Sequence, residues 1–145
     1  MPSIGAITGN LKCNQTGMAA YAFHILKGIT NTFHITQIMD KSGDLLEGCQ
    51  GINPKTIPIP FNYLTWSIQT SLQNYLFSEY DLIHNMCQYP IIPPRHKKYI
   101  MTMYDLIPVL YPDLVTPVYA WQSKYFLPHI IKKSERILAI SDHTK

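Results

Sequence analysis

Residues 4–39 read IGAITGNLKCNQTGMAAYAFHILKGITNTFHITQIM, and this stretch decides the fold. Residues 4–8 predict a first strand, and residues 9–16, with Asn10, Asn14 and Gln15, predict a polar loop. Over 18–29 the apolar residues Met18, Tyr21, Ala22, Ile25, Leu26 and Ile29 recur at three- and four-residue steps. That period predicts a helix with one stripe against a sheet. Thr16 stands where an N-cap belongs, and residues 34–39 predict the next strand. Strand, loop, helix and strand in that order is the alternation of an α/β protein.

The alternation continues outward. A turn-rich stretch with Gly43, Gly48, Gly51, Asn53 and Pro54 leads to a short strand predicted at 56–59. Leu64, Ile68, Leu72, Tyr75 and Leu76 mark an amphipathic helix, and residues 81–84 and 99–103 predict two further strands. Pro117 is placed to open a helix through 125 to 131, with Pro128 expected to kink it. Residues 136–140 predict the last strand. Ser141-Asp142-His143-Thr144 then resembles a helix N-cap and first turn, and the chain stops at Lys145, which reads as a truncation.

Length and composition bound the rest. At about 150 residues per domain, 145 residues predict a single domain over 1–145. With 46% hydrophobic, 12% aromatic and 14% charged residues, the chain is expected to fold around one core. The net charge is +3, and residues 95–145 hold eight basic against four acidic groups. That surplus is too small to indicate nucleic acid. Cys13, Cys49 and Cys87 are odd in number and form no C-x-x-C, so neither a disulfide framework nor a zinc site is legible, and a cytoplasmic location is expected. The N-terminus carries no basic n-region or apolar h-region, and no run of 18 apolar residues occurs.

In a parallel doubly wound sheet, ligands bind beyond the carboxyl ends of the strands. The residues that finish these strands are polar: Thr16-Gly17-Met18 after the first, His84-Asn85, then Tyr104-Asp105, then Ser141-Asp142. The first loop is the best anion candidate, because a helix N-terminus presents unpaired N–H groups. It matches neither G-x-G-x-x-G nor G-x-x-x-x-G-K-[ST], and no G-x-S-x-G occurs. A dinucleotide oxidoreductase, a P-loop NTPase and an α/β hydrolase are therefore disfavoured.

With those residues in view, the chain resembles the N-terminal domain of the family 4 retaining glycosyltransferases, which have the two-domain GT-B architecture. Thr16-Gly17-Met18 with Tyr21 and Leu26 is similar to the family's Gly-rich loop and first helix, and Asp81-Leu82-Ile83-His84 to its strand ending in His. Thr102-Met103-Tyr104-Asp105-Leu106-Ile107-Pro108 with Tyr111-Pro112 resembles the family's strand, His/Tyr-Asp-Leu-Ile-Pro turn and Tyr-Pro pair. Ser134-Glu135-Arg136-Ile137-Leu138-Ala139-Ile140-Ser141 resembles the strand ending in Ser. Two positions depart from the pattern. The loop has one glycine where the family commonly has two or more, and Tyr104 stands where many members have His.

The resemblance implies a Rossmann-like three-layer α/β sandwich with a mostly parallel sheet, the acceptor-side half of a GT-B fold. It implies sugar transfer from a nucleotide-diphosphate sugar, with retention, to a glycan, lipid-linked or other acceptor, as in polysaccharide biosynthesis. A C-terminal donor-binding domain or a separate subunit is the implied partner, and neither a metal nor another cofactor is expected. Tyr104 and Asp105 are the implied catalytic residues, Thr16, Gly17 and Met18 lie on the donor-diphosphate side, and His84, Asn85 and Ser141 line the cleft. The alternatives are a non-catalytic acceptor-binding subunit and an inactive fragment.

Structural roles stand beside these. Asp105 is suited to capping the turn toward Pro108, Ser141 to an N-cap, and His84 to a buried structural site. His24, His34 and the cysteines read as structural, and Trp66, Trp121 and Tyr125 as core or acceptor wall. Arg95-His96-Lys97-Lys98 reads as a solvated loop and Lys132-Lys133 as a helix C-terminus. At about 1 kcal/mol per basic residue, such clusters predict at most weak peripheral contact with the membrane's cytoplasmic face.

Overall fold

A computed structural model describes residues 1–9, 11–12, 16–40, 43, 45, 51–57, 75–88 and 91–144. Strand β1 (Ser3–Gly9) is buried at every position after Ser3, as expected of a central strand covered on both faces. β2 (His34–Met39) and β3 (Ile52–Thr56) follow on one side of it. β4 (Leu82–Asn85), β5 (Lys98–Met103) and β6 (Arg136–Ala139) follow on the other. Among the described residues these make one six-stranded sheet, β3-β2-β1-β4-β5-β6, and every pairing in it is parallel. The fold is α/β and Rossmann-like.

Helix α1 (Gly17–Ile29) connects β1 to β2 and buries Ala19, Ala22 and Leu26. Met18, Ile25 and Ile29 pack at the margin of the same core, so the predicted stripe is the one used. A short helix α2 (Ile107–Leu110) and a 3-10 turn (Pro112–Leu114) precede α3 (Pro117–Lys133), which connects β5 to β6. α3 opens at Pro117 as predicted, and Lys132 and Lys133 lie in its last turn. Right-handed crossovers that run in opposite directions from the centre put α1 and α3 on opposite faces of the sheet.

Two details depart from the sequence expectation. The third strand is Ile52–Thr56, earlier than the 56–59 expected, of which 58 and 59 lie outside the described residues, and it pairs with β2 from Ile35–Ile52 to Met39–Thr56. Asn53 and Pro54 belong to it because β3 is an edge strand, where only one side must supply ladder hydrogen bonds and proline is tolerated. Of the helix expected around Leu64, Ile68 and Leu72, those three residues lie outside the described ones. Leu76 packs against the core, whereas Tyr75 is 78% exposed and lies off any buried stripe.

The core is continuous through the sheet centre, from Ile7 and Ile38 to Ile83, Tyr99 and Met101. Gly5 permits it locally. A Cβ there would stand 2.7 Å from the Tyr80 ring and 3.0 Å from Ile83 Cδ1, so glycine leaves the room that the Tyr80 ring takes against β1. Tyr80 is held in turn by the loop before β5, where the Lys97 ammonium donates to the carbonyls of Ser78 and Tyr80 at 2.6 and 2.8 Å.

Candidate functional site

The chain order reverses at the β1–β4 pair, because β1 leads outward to β2 while β4 leads the opposite way to β5. A parallel sheet opens a crevice beyond the carboxyl ends of its strands at such a point. The loops there are those after Gly9, Asn85, Met103 and Ala139. They carry Thr16-Gly17-Met18, Gln88, Tyr104-Asp105 and Ser141 respectively, so Thr16, Gly17, Met18, Tyr104, Asp105 and Ser141 share one edge as predicted, with Gln88 among them.

On the β1 side, Gly9 turns the chain with φ of 60° into the loop before α1. The Thr16 hydroxyl accepts from the Ala19 amide at 3.2 Å, which is the predicted N-cap. Among the described residues the Gly17 and Met18 N–H groups take no partner and are the orphan donors of the first turn. Gly17 faces open space, with nothing within 4 Å of where a Cβ would lie, while the Met18 side chain packs on the core.

Beneath the crevice, β4 and β5 carry a buried polar floor. His84 Nε2 lies 2.9 Å from the Thr102 hydroxyl, and Thr102 Oγ1 donates to the Tyr21 hydroxyl of α1 at 3.4 Å. Burial lowers the His84 pKa to about 4, so the imidazole is neutral near pH 7 and acts only through hydrogen bonds. Asn85 is fully buried. Its amide donates to the Tyr99 hydroxyl at 2.9 Å and accepts from the Cys87 N–H at 3.2 Å, while Tyr99 donates onward to the Ile91 carbonyl. His84 and Asn85 are therefore buried residues at the carboxyl end of β4, tied by these hydrogen bonds to β5 and to the segment after β4.

The Tyr104-Asp105 turn is held by a residue that the sequence reading overlooked. Gln88 is 7% exposed, sits at φ of 53°, and spends its whole side-chain amide on this turn. Its oxygen accepts from the N–H groups of Tyr104 at 2.6 Å and Asp105 at 3.3 Å, and its nitrogen donates to the Asp105 carbonyl at 2.8 Å. The sequence carries no signal for this, since a glutamine after a strand is ordinarily a solvated residue. Tyr21 was likewise legible as part of a helical stripe and of the first-helix resemblance, but not as a neighbour of Tyr104. It packs edge-on to Tyr104, with centroids 5.7 Å apart at 82°.

Tyr104 directs its hydroxyl proton to the Met86 carbonyl at 2.7 Å, so the phenol oxygen is left as an acceptor. Burial, with smaller contributions from Cys87 and Tyr21, pushes its pKa up, and it stays neutral. Asp105 Oδ1 accepts from the Ile107 amide at 3.0 Å, which fulfils the turn-capping role, and Oδ2 has no partner among the described residues. The C-terminal 3-10 turn (Asp142–Thr144) closes the group. Ser141 Oγ lies 2.9 Å from Thr144 Oγ1, which donates to the Tyr104 carbonyl at 3.1 Å. Ser141, Tyr104 and Asp105 are thus one connected cluster.

The outer residues divide. Cys87 is buried, His24 and His34 are exposed, and Trp121 and Tyr125 are 53% and 60% exposed, so those two are not core. Cys13, Cys49 and Trp66 lie outside the described residues. Among the described residues no group of three His, Cys, Asp or Glu stands close enough to hold a metal ion, and no helix is long and apolar enough to cross a membrane.

No protein-family model, curated protein or solved structure matches this chain.

Proposed function

We propose that the chain is the acceptor-side half of a retaining glycosyltransferase that uses a nucleotide-diphosphate sugar. What supports this reading most is the placement of one cluster. The Tyr104-Asp105 turn and Ser141 are linked at the carboxyl edge of the sheet, where the strand order reverses, and α1, which opens at that edge, packs Tyr21 edge-on to Tyr104. The resemblance of residues 102–112 and 134–141 to the glycosyltransferase pattern adds the reaction class.

In the proposed reaction the bond from the sugar's anomeric carbon to the diphosphate oxygen breaks, and the nucleoside diphosphate leaves with that electron pair. An acceptor hydroxyl forms the new bond and gives up its proton to the leaving phosphate or to solvent. The Gly17 and Met18 N–H groups are suited to a diphosphate oxygen, because the helix dipole favours negative charge at that end. The Tyr104 oxygen and Asp105 Oδ2 are suited to accept from sugar hydroxyls, and together they fix orientation. A donor-binding domain or separate subunit supplies the opposite wall, and no metal is assigned to these residues.

The test is transfer by the protein as isolated from its source. It would be offered a panel of nucleotide-diphosphate sugars with glycan and lipid-linked acceptors, and the product anomer read by NMR. Transfer with retention, reduced at least tenfold by Tyr104→Phe or Asp105→Asn without loss of fold, is the expected result. Inversion, or no transfer from any donor, would overturn the reading.

A further inference from the structure

Helix α3 is patterned against its own core. It buries Gln122 and Ser123, yet leaves Val118, Trp121 and Tyr125 exposed at 47%, 53% and 60%. The adjoining turn adds Leu110, Tyr111 and Leu114 at 62%, 60% and 74%. These are not scattered singly. The Trp121 and Tyr125 rings lie 5.5 Å apart and, with Pro108 and Pro112, border an apolar groove of about 340 Å³. An exposed apolar surface of this continuity marks an interaction site.

Its chemistry selects the occupant. Tryptophan and tyrosine with lysines between them is the composition that sits at the level of lipid headgroups. Val118, Trp121, Tyr125 and Pro128 follow three- and four-residue steps, and the next step is Lys132. Lys124 lines the groove, with its ammonium 6.0 Å from the centre of the Tyr125 ring. Residues 117–133 include no acidic group, and Asp113 is the only one between 106 and 134. A basic, aromatic, apolar face complements an anionic bilayer better than a protein surface of mixed charge.

We propose that the α2–α3 face docks peripherally on an anionic lipid surface, with Leu114, Trp121 and Tyr125 at headgroup depth. This stands independently of the transferase reading. The experiment is co-sedimentation of the chain with vesicles of equal phosphatidylglycerol and phosphatidylcholine, against phosphatidylcholine alone, at low ionic strength. Tryptophan emission is followed in the Trp66→Phe chain, where Trp121 is the sole reporter.

Binding to the anionic vesicles with a blue shift of Trp121 emission is expected. Lys132→Glu should weaken it at least about fivefold, and Trp121→Glu about tenfold, with circular dichroism confirming the fold of each. Three results would overturn the proposal. One is no binding to anionic vesicles. A second is binding that leaves Trp121 emission unchanged and is indifferent to Trp121→Glu, which would assign another surface. The third is a dimer by sedimentation velocity that Trp121→Glu dissociates while vesicles do not bind, which would assign the face to a second copy.

Discussion

Two buried glutamines separate the two sides of this molecule. Gln88, after β4, uses both atoms of its amide to hold the Tyr104-Asp105 turn. Gln122, inside α3, is equally buried, and neither of its amide atoms has a hydrogen-bond partner. A buried amide that is fully paired defines a geometry, whereas one left unpaired costs desolvation and defines nothing. The carboxyl edge of the sheet is therefore built for position. The outer layer buries an unpaired glutamine and exposes Trp121 and Tyr125.

The comparison breaks most visibly at Gln88. Gln88→Ala strands the backbone groups of Tyr104 and Asp105 and keeps an L side chain at a left-handed φ, so it should cost about 3–4 kcal/mol in urea denaturation. Gln88→Gly loses the same bonds but relieves the strain, and should recover about 1 kcal/mol. Equal losses would mean that the φ of 53° carries no strain.

His84 sharpens the same side through pH. Its folded pKa of about 4 lies below its ordinary 6.5, so the unfolded chain binds more protons between those values. Its contribution is present in full above 6.5 and falls as pH drops toward 4, by up to about 3 kcal/mol in total. Thermal unfolding of His84→Gln should show this slope removed. The lowered carboxyls of Glu79 and Asp81 act separately, since their ordinary values are 4.5 and 3.8 and their loss comes at lower pH. A slope that survives in His84→Gln would contradict the assignment.

On the other side the sign reverses. Gln122→Met should stabilise the fold by about 1–2 kcal/mol, because it removes two unpaired polar atoms at similar volume. Back at the carboxyl edge, Thr16→Ala should cost about 1 kcal/mol for the lost N-cap. Trp121→Ser, on the exposed face, should move stability by no more than about 0.5 kcal/mol while weakening co-sedimentation with anionic vesicles. A large loss of stability from Trp121→Ser would place that ring in the core after all.

The same contrast explains what could be read from residues alone. β2 was legible residue for residue and α1 to within one position, because apolar period and Thr16 capping agree there. β3 was misplaced, since Pro54 reads as a turn until the strand is known to lie at the sheet's edge. That Tyr104, Asp105 and Ser141 lie close together was legible because each follows a strand, and the ends of parallel strands share an edge. Gln88 was not. Its role depends on a backbone turn brought close from 16 residues along the chain, and no local pattern encodes that. The exposure of Trp121 and Tyr125 was hidden for a related reason, because composition cannot tell an aromatic in the core from one displayed outside it.

The central claim is that the crevice at the β1–β4 reversal receives the sugar substrates. Its most direct test is a ¹⁵N-amide NMR titration of the chain with a nucleotide-diphosphate sugar and, separately, with acceptor glycans at millimolar concentration. Shifts concentrated at Gly17, Gln88, Tyr104, Asp105 and Ser141, with β3 and the C-terminal half of α3 unmoved, are the expected result. Shifts centred elsewhere, or none with any probe, would contradict the claim.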